Sequence, residues 1–118
     1  MGLEIRRQFF VGRAGVLDDL RETGFWPTTY VSVGAPEVGL HWHAHEAHAY
    51  IVEGRTSMID GETGERHAVG PGDKIVVPAR TLHAEGEVTE RVVYILAAPD
   101  ALPPDEFLAQ HAPAELES

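Results

Sequence analysis

The sequence predicts an all-β sandwich or barrel with one short helix at its C-terminal end. Three observations carry that expectation. About eight to ten short runs rich in Val, Ile, Thr and aromatic residues recur every ~8–12 residues, the spacing of sandwiches and barrels. Gly, Pro and Asp punctuate them. Helical periodicity appears only near the end, where Pro104-Asp105-Glu106-Phe107-Leu108 puts Pro and acids in a first turn.

The strands follow in order. Ile5 to Val11 is the first, stopped by Gly12. Asp18 to Glu22 reads as a helical turn ended by Thr23-Gly24. Thr28 to Val33 is β-branched and aromatic and ends at Gly34-Ala35-Pro36. Leu40 to His43 and His48 to Glu53 flank a polar loop. Gly54 turns the chain into Thr56 to Ile59, and Asp60-Gly61 signals a hairpin. Arg66 to Val69 precedes the turn Gly70-Pro71-Gly72-Asp73. Lys74 to Val77 is a short buried strand ended by Pro78. Leu82 to Glu85 and Arg91 to Leu96 complete the set. The final helix, about 103–111, is expected to lay Phe107 and Leu108 on the outside of the sandwich.

Composition bounds the function. The chain has 118 residues and reads as one domain over 1–118. It has no cysteine, which excludes disulfides, thiolate metal sites and cysteine nucleophiles. A net charge of −10 argues against nucleic acid or an anionic membrane as partner. No stretch reads as a secretory or membrane-spanning segment, so cytoplasm is the expected compartment. An apolar N-terminal arm over about 4–12, with Phe9 and Phe10 adjacent, is expected to lie on a partner's sheet and make a homodimer.

Four of the seven histidines, His41, His43, His45 and His48, fall within eight residues. Neutral imidazole is a common transition-metal ligand. On a strand, residues i and i+2 share a face, so His41 and His43 point one way and Trp42 the other. His48 begins the next strand and can fold back to the same point, and His83 on another strand supplies a fourth ligand. The expected set is His41, His43, His48 and His83, on a divalent Fe, Ni, Zn, Mn or Cu ion. Glu85, two residues after His83, faces the same way as a general base or as acceptor for an imidazole N–H. His67 and His111 lie beside no other candidate ligand and read as solvated side chains.

These residues also resemble a known family. His41-Trp42-His43, continuing to Gly54, is similar to the first cupin motif: His-x-His, three or four residues, Glu, six residues, Gly. Gly72 to His83 is similar to the second: Gly, five residues, Pro-x-Gly, two residues, His, three residues, Asn. The motifs cover about residues 39–86, and the strand pattern extends the likeness over about 25–98. The resemblance, to small single-domain cupins, implies a double-stranded β-helix, the double-sheet jelly roll. It also implies a divalent metal inside the barrel near its mouth.

The chain departs from the motifs. Ala47 stands where the metal-binding Glu usually falls. His48 keeps the allowed spacing from His43 but is one residue too close to Gly54. A bulge between them would turn it inward; without one the site is His41, His43 and His83 alone, with His45 and Glu46 as fallback ligands. Arg80 replaces the second motif's Gly, either as a solvated loop charge or reaching into the mouth to hold an anionic group. Glu87 replaces its Asn. An all-imidazole site would have a net charge near +2 and favour an anionic or chelating substrate. The function expected by analogy is a dioxygenase-like, metal-dependent oxidation of a small polar or anionic molecule. The alternatives are a non-catalytic module that senses a ligand or metal, and a metal-dependent isomerase.

Overall fold

Short strands that alternate apolar and polar residues must bury one face each, and two stacked antiparallel sheets achieve this. The structure, a computed structural model, describes residues 2–117, so Met1 and Ser118 of the expected 1–118 domain lie outside the described residues. The elements run β1 (Glu4–Arg6), α1 (Gly12–Thr23), β2 (Trp26–Ala35), β3 (Ala47–Glu53), β4 (Thr56–Asp60), β5 (Arg66–Val69), β6 (Lys74–Val77), β7 (His83–Glu85), β8 (Val88–Ala98) and α2 (Pro104–Phe107), followed by a 3-10 turn (Pro113–Glu117). One sheet has the order β1-β6-β3-β8-β2, the other β5-β4-β7. Every pairing between these strands is antiparallel. This is the expected double-sheet jelly roll. No helix among the described residues is long and apolar enough to cross a membrane.

The core between the sheets is built from Ala49 and Ile51 of β3, Met58 of β4, Val69 of β5, Ile75 and Val77 of β6, and Val88, Val92 and Tyr94 of β8. Gly54 holds the β3–β4 turn at φ 86°, where a Cβ would stand 2.1 Å from the Arg91 carbonyl oxygen. Only glycine lets the turn pass that close to β8.

Three expectations are corrected. Residues 12–23 form a full α-helix rather than one turn near Asp18. Its buried Val16 and Leu20 are one helical turn apart, and Gly24 caps it in the left-handed region. Gly12 and Gly15 masked this pattern. The N-terminal arm, expected as a strand from Ile5 to Val11, is a strand only over Glu4–Arg6, and that strand pairs with β6 of its own chain. The C-terminal helix stops at Phe107, and Phe107 and Leu108 line the cavity inside the barrel rather than packing on the outside of the sandwich.

The helix α1 packs with Tyr50, Phe10 and Ala97 on the outer face of the larger sheet. Lys74 is buried there, on β6, with its Nζ against Asp19 of α1, and Tyr50 O–H donates to the same carboxylate at 2.6 Å. The Lys74 ammonium also sits 5.0 Å from the Phe9 ring centroid and 5.3 Å from that of Tyr50. A buried cation left without its carboxylate is costly. Asp19→Ala should therefore destabilise the fold by about 3 kcal/mol in chemical denaturation, and adding Lys74→Met should recover most of the loss. Burial pushes the Asp19 carboxyl up, but the Lys74 and Tyr50 hydrogen bonds outweigh it and hold it below its usual value. A depressed carboxyl stabilises above its unfolded pKa of ~3.9 and loses that stabilisation as pH falls through the lower folded value. Acid unfolding of Asp19→Asn should lack this component.

Candidate metal centre

The site begins with backbone pairing. His41 and His83 face each other across a short antiparallel bridge, with His41 N–H to His83 O at 2.9 Å and His83 N–H to His41 O at 3.0 Å. This pairing is all that remains of the expected strand at Leu40 to His43, together with a second bridge from Trp42 to His111. The two-residue strand period brings His43 back to the side of His41 and sends Trp42 outward. Ring centroids of His41, His43 and His83 are 4.6–5.1 Å apart.

Each of the three imidazoles has Nδ1 against a backbone carbonyl: Gly39 at 2.8 Å, Ala109 at 2.9 Å and Thr81 at 2.9 Å. A carbonyl only accepts, so each Nδ1 carries the proton. Every neutral ring then keeps a bare lone pair on Nε2. Glu85 joins the group, its carboxylate 3.4 Å from His41 Nε2 and 3.1 Å from His83 Nε2. One potential ligand atom from each of the four residues lies within 4.8 Å of the others. His41 Nε2 is buried with no hydrogen-bond partner. Lone pairs facing a carboxylate repel one another unless a proton or a cation lies between them. The donor set of three imidazoles and one carboxylate therefore fits a divalent transition metal, with His41, His43, His83 and Glu85 as its holders.

His48 does not join them. Its Nε2 bonds to Glu46 Oε2 at 2.7 Å, and its ring stacks on Phe25 at 4.2 Å. A bulge does occur in β3, but after Ile51, where Val52 has no partner on β8. The parity of residues 47–51 is therefore untouched. Ala47 and Ala49 face the interior, and His48 and Tyr50 face α1. Glu46 is engaged by His48, and His45 stands in the bend outside the group of four. Glu85, expected as a base or an acceptor, stands at ligand distance and supplies the carboxylate that Ala47 lacks. Arg80 takes φ 62° without being glycine, bonds through its N–H to the His43 carbonyl, and lays its guanidinium 4.8 Å from the Trp42 ring centroid. His111 is also not a plain solvated side chain, since it stacks on the opposite partner, Trp42, at 4.5 Å.

Beside the group lies a cavity of about 240 Å³. Ala47, Ala49, Val77 and Leu96 line it, along with the phenols of Tyr30 and Tyr94 and, from the C-terminal segment, Phe107 and Leu108. Among the described residues no Lys or Arg lines it.

The cluster is electrostatically uneven. Burial opposes a charged His41, but the Glu85 carboxylate outweighs it and raises that pKa. Burial and the neighbouring His83 lower His43 to about 4. Burial pushes Glu85 up, but its two histidine neighbours more than reverse this and hold it far below the usual carboxylate range.

A family model described as a cupin domain matches residues 28–98. No curated protein matches the chain. Among solved structures, the polyketide cyclase RemF from Streptomyces resistomycificus is similar at 22% identity and a TM-score of 0.55, over 67% of this chain and 57% of the cyclase. This chain thus spans little more than half the cyclase's length. A putative mannose-6-phosphate isomerase from Ralstonia eutropha is similar at 22% identity and TM-score 0.57, over 66% of this chain and 76% of its own. A cupin superfamily protein from Desulfitobacterium hafniense is similar at 15% identity and TM-score 0.52, over 63% and 65%.

Two outcomes are expected of the cluster. Protein purified without a histidine tag should bind one divalent ion per chain, and His41→Ala with His43→Ala should abolish this in metal analysis. His48→Ala should leave metal content unchanged. Metal ligation needs a neutral His41, and the Glu85 carboxylate raises its pKa, so protons compete with the ion as pH falls. Metal affinity should therefore fall as pH drops, with proton release on binding that grows toward lower pH in calorimetry across buffers. Affinity flat from pH 8 to pH 5 would speak against the cluster.

Proposed function

The chain belongs to the cupin domain family, and from that premise we propose that it is a metal-dependent enzyme performing a dioxygenase-like oxidation on a small molecule held in the cavity. The observation that carries the reading is the buried Nε2 of His41, which has no hydrogen-bond partner, grouped with His43, His83 and Glu85, three residues that line that cavity. A divalent transition ion there would polarise a carbonyl or ionise a hydroxyl, and iron would add the electron chemistry that O₂ requires.

The chain's own residues narrow the substrate. Three neutral imidazoles and one carboxylate leave a divalent site near +1 instead of the +2 of an all-histidine set. With no cation lining the cavity, the charge argument for an anionic substrate weakens. The walls favour an apolar body carrying a carbonyl or hydroxyl head. A cavity of ~150 Å³ holds benzene, so about 240 Å³ accepts one ring or a short branched chain. Tyr94 is buried on this wall. Burial, and then the charge of Glu85, push its phenol up to about 12. It therefore stays protonated at neutral pH and can donate a hydrogen bond to a substrate oxygen.

A second reading uses the same site without O₂, as a Lewis-acid centre for isomerisation or cyclisation, in line with the names of two similar structures. Tyr94 on the cavity wall could serve it by donating a hydrogen bond to the oxygen of the substrate. Oxygen uptake by the iron-loaded protein with acetylacetone as probe separates the readings. Uptake matched to loss of the probe supports oxidation. Conversion without uptake favours the second reading, and binding without turnover leaves a sensing module. Tyr94→Phe should weaken binding of the probe up to about tenfold, the worth of one hydrogen bond, with metal content unchanged.

We also propose a homodimer, formed at β2. This ten-residue strand is an edge of its sheet, carries no charge from Trp26 to Ala35, and exposes Trp26, Val31 and Val33. Uncharged edges of that length are pairing surfaces. Light scattering should report twice 12.9 kDa. Val31→Lys should return a monomer.

A further inference from the structure

The C-terminal segment also reaches the four-residue cluster. After α2 the chain turns back along the site. Phe107 is buried, and Leu108 and Gln110 line the cavity. Between those two, Ala109 turns its carbonyl to Nδ1 of His43. His111 then pairs with Trp42 through both backbone bonds, 3.2 Å and 3.0 Å. Its ring stacks on the indole, and Trp42 Nε1–H donates to the Ala112 carbonyl at 3.0 Å. The carbonyls that hold His41 and His83 lie two residues away in sequence, whereas the one that holds His43 lies 66 residues away.

We propose that docking of residues 107–112 onto Trp42 is coupled to metal binding. The segment is a positioning element that fixes His43 through the Ala109 carbonyl, and an ion at the cluster holds the segment in place. This rests on the reading of the four residues as a metal centre. The physical argument is one of orientation. The imidazole torsion is broad and roughly two-fold, so His43 needs an outside acceptor to select one tautomer and one ring direction. Losing such a partner typically weakens metal affinity ~10–100-fold. Coupling between two binding events is reciprocal. The factor by which the docked segment tightens the ion is the factor by which the ion tightens docking. Because Leu108 and Gln110 border the cavity, its occupant touches the same segment.

Zinc is the probe. The full chain and a chain ending at Pro103 are compared by competition titration. The shortened chain should keep its far-UV β-sheet signal and bind zinc at least tenfold more weakly. Equal dissociation constants overturn the proposal. Should the shortened chain fail to fold, Trp42→Phe in the full chain takes its place. It removes the bond to Ala112, so exchange of the His111 amide should speed up and zinc affinity should fall with it. Faster exchange with unchanged affinity overturns the coupling. In the wild-type chain, zinc should slow His111 amide exchange, a response that a merely structural segment would not give. An amide indifferent to zinc refutes the coupling while leaving the metal centre standing. A wild-type chain that takes up no zinc removes both.

Discussion

Three imidazole N–H groups bound to three backbone carbonyls set the rest of this site. Once each Nδ1 donates, the Nε2 lone pairs of His41, His43 and His83 have no choice but to face one another and the Glu85 carboxylate. In a buried place that arrangement is unfavourable on its own. The fold tolerates it because β pairing fixes the backbones: the His41–His83 bridge forbids either ring from backing away. A preformed set of donors with no good internal partner is what a cation-binding centre requires, since little reorganisation is left for the moment of binding.

The same strand, β3, separates two polar systems by parity alone. Ala47 and Ala49 look into the cavity, and His48 and Tyr50 look toward α1. On the α1 side Tyr50 bonds to Asp19, which also holds the buried Lys74, and His48 bonds to Glu46. A slip of one residue would exchange the two sets. The antiparallel registry of β3 with β6 and β8 prevents it through residues 47–51, and the bulge is postponed to Val52, after the side chains that matter have been assigned.

Much of this was legible in the sequence. Strand spacing and turn residues placed β2 to β8 closely, because Gly54, Asp60-Gly61 and Gly70 to Gly72 stop the runs where the chain does turn. His41, His43 and His83 could be brought together from alternation and motif likeness. His48 could not be assigned that way, because spacing along a loop does not fix the face of the next strand. The role of Glu85 was hidden for the opposite reason. It shares a face with His83 in plain view, but the motif likeness directs attention to β3 for a carboxylate. The helix α1 was obscured by Gly12 and Gly15. The C-terminal segment was beyond local pattern altogether: nothing within residues 107–112 announces that the Ala109 carbonyl meets a ring 66 residues earlier.

Moving the carboxylate from β3 to β7 changes more than its address. A carboxylate at position 47 would fill the interior beside the three imidazoles from the β3 side. Ala47 and Ala49 leave that space empty, and it becomes part of the cavity. Glu85 closes the β7 side instead. The open flank of the cluster therefore faces the apolar inner wall built by Ala47, Ala49, Val77 and Leu96. Small side chains on one strand and an acid on another thus settle which flank is open. On the function proposed above, the charge left at an occupied centre and the polarity of the wall would act together, favouring a molecule with a polar head and an apolar body.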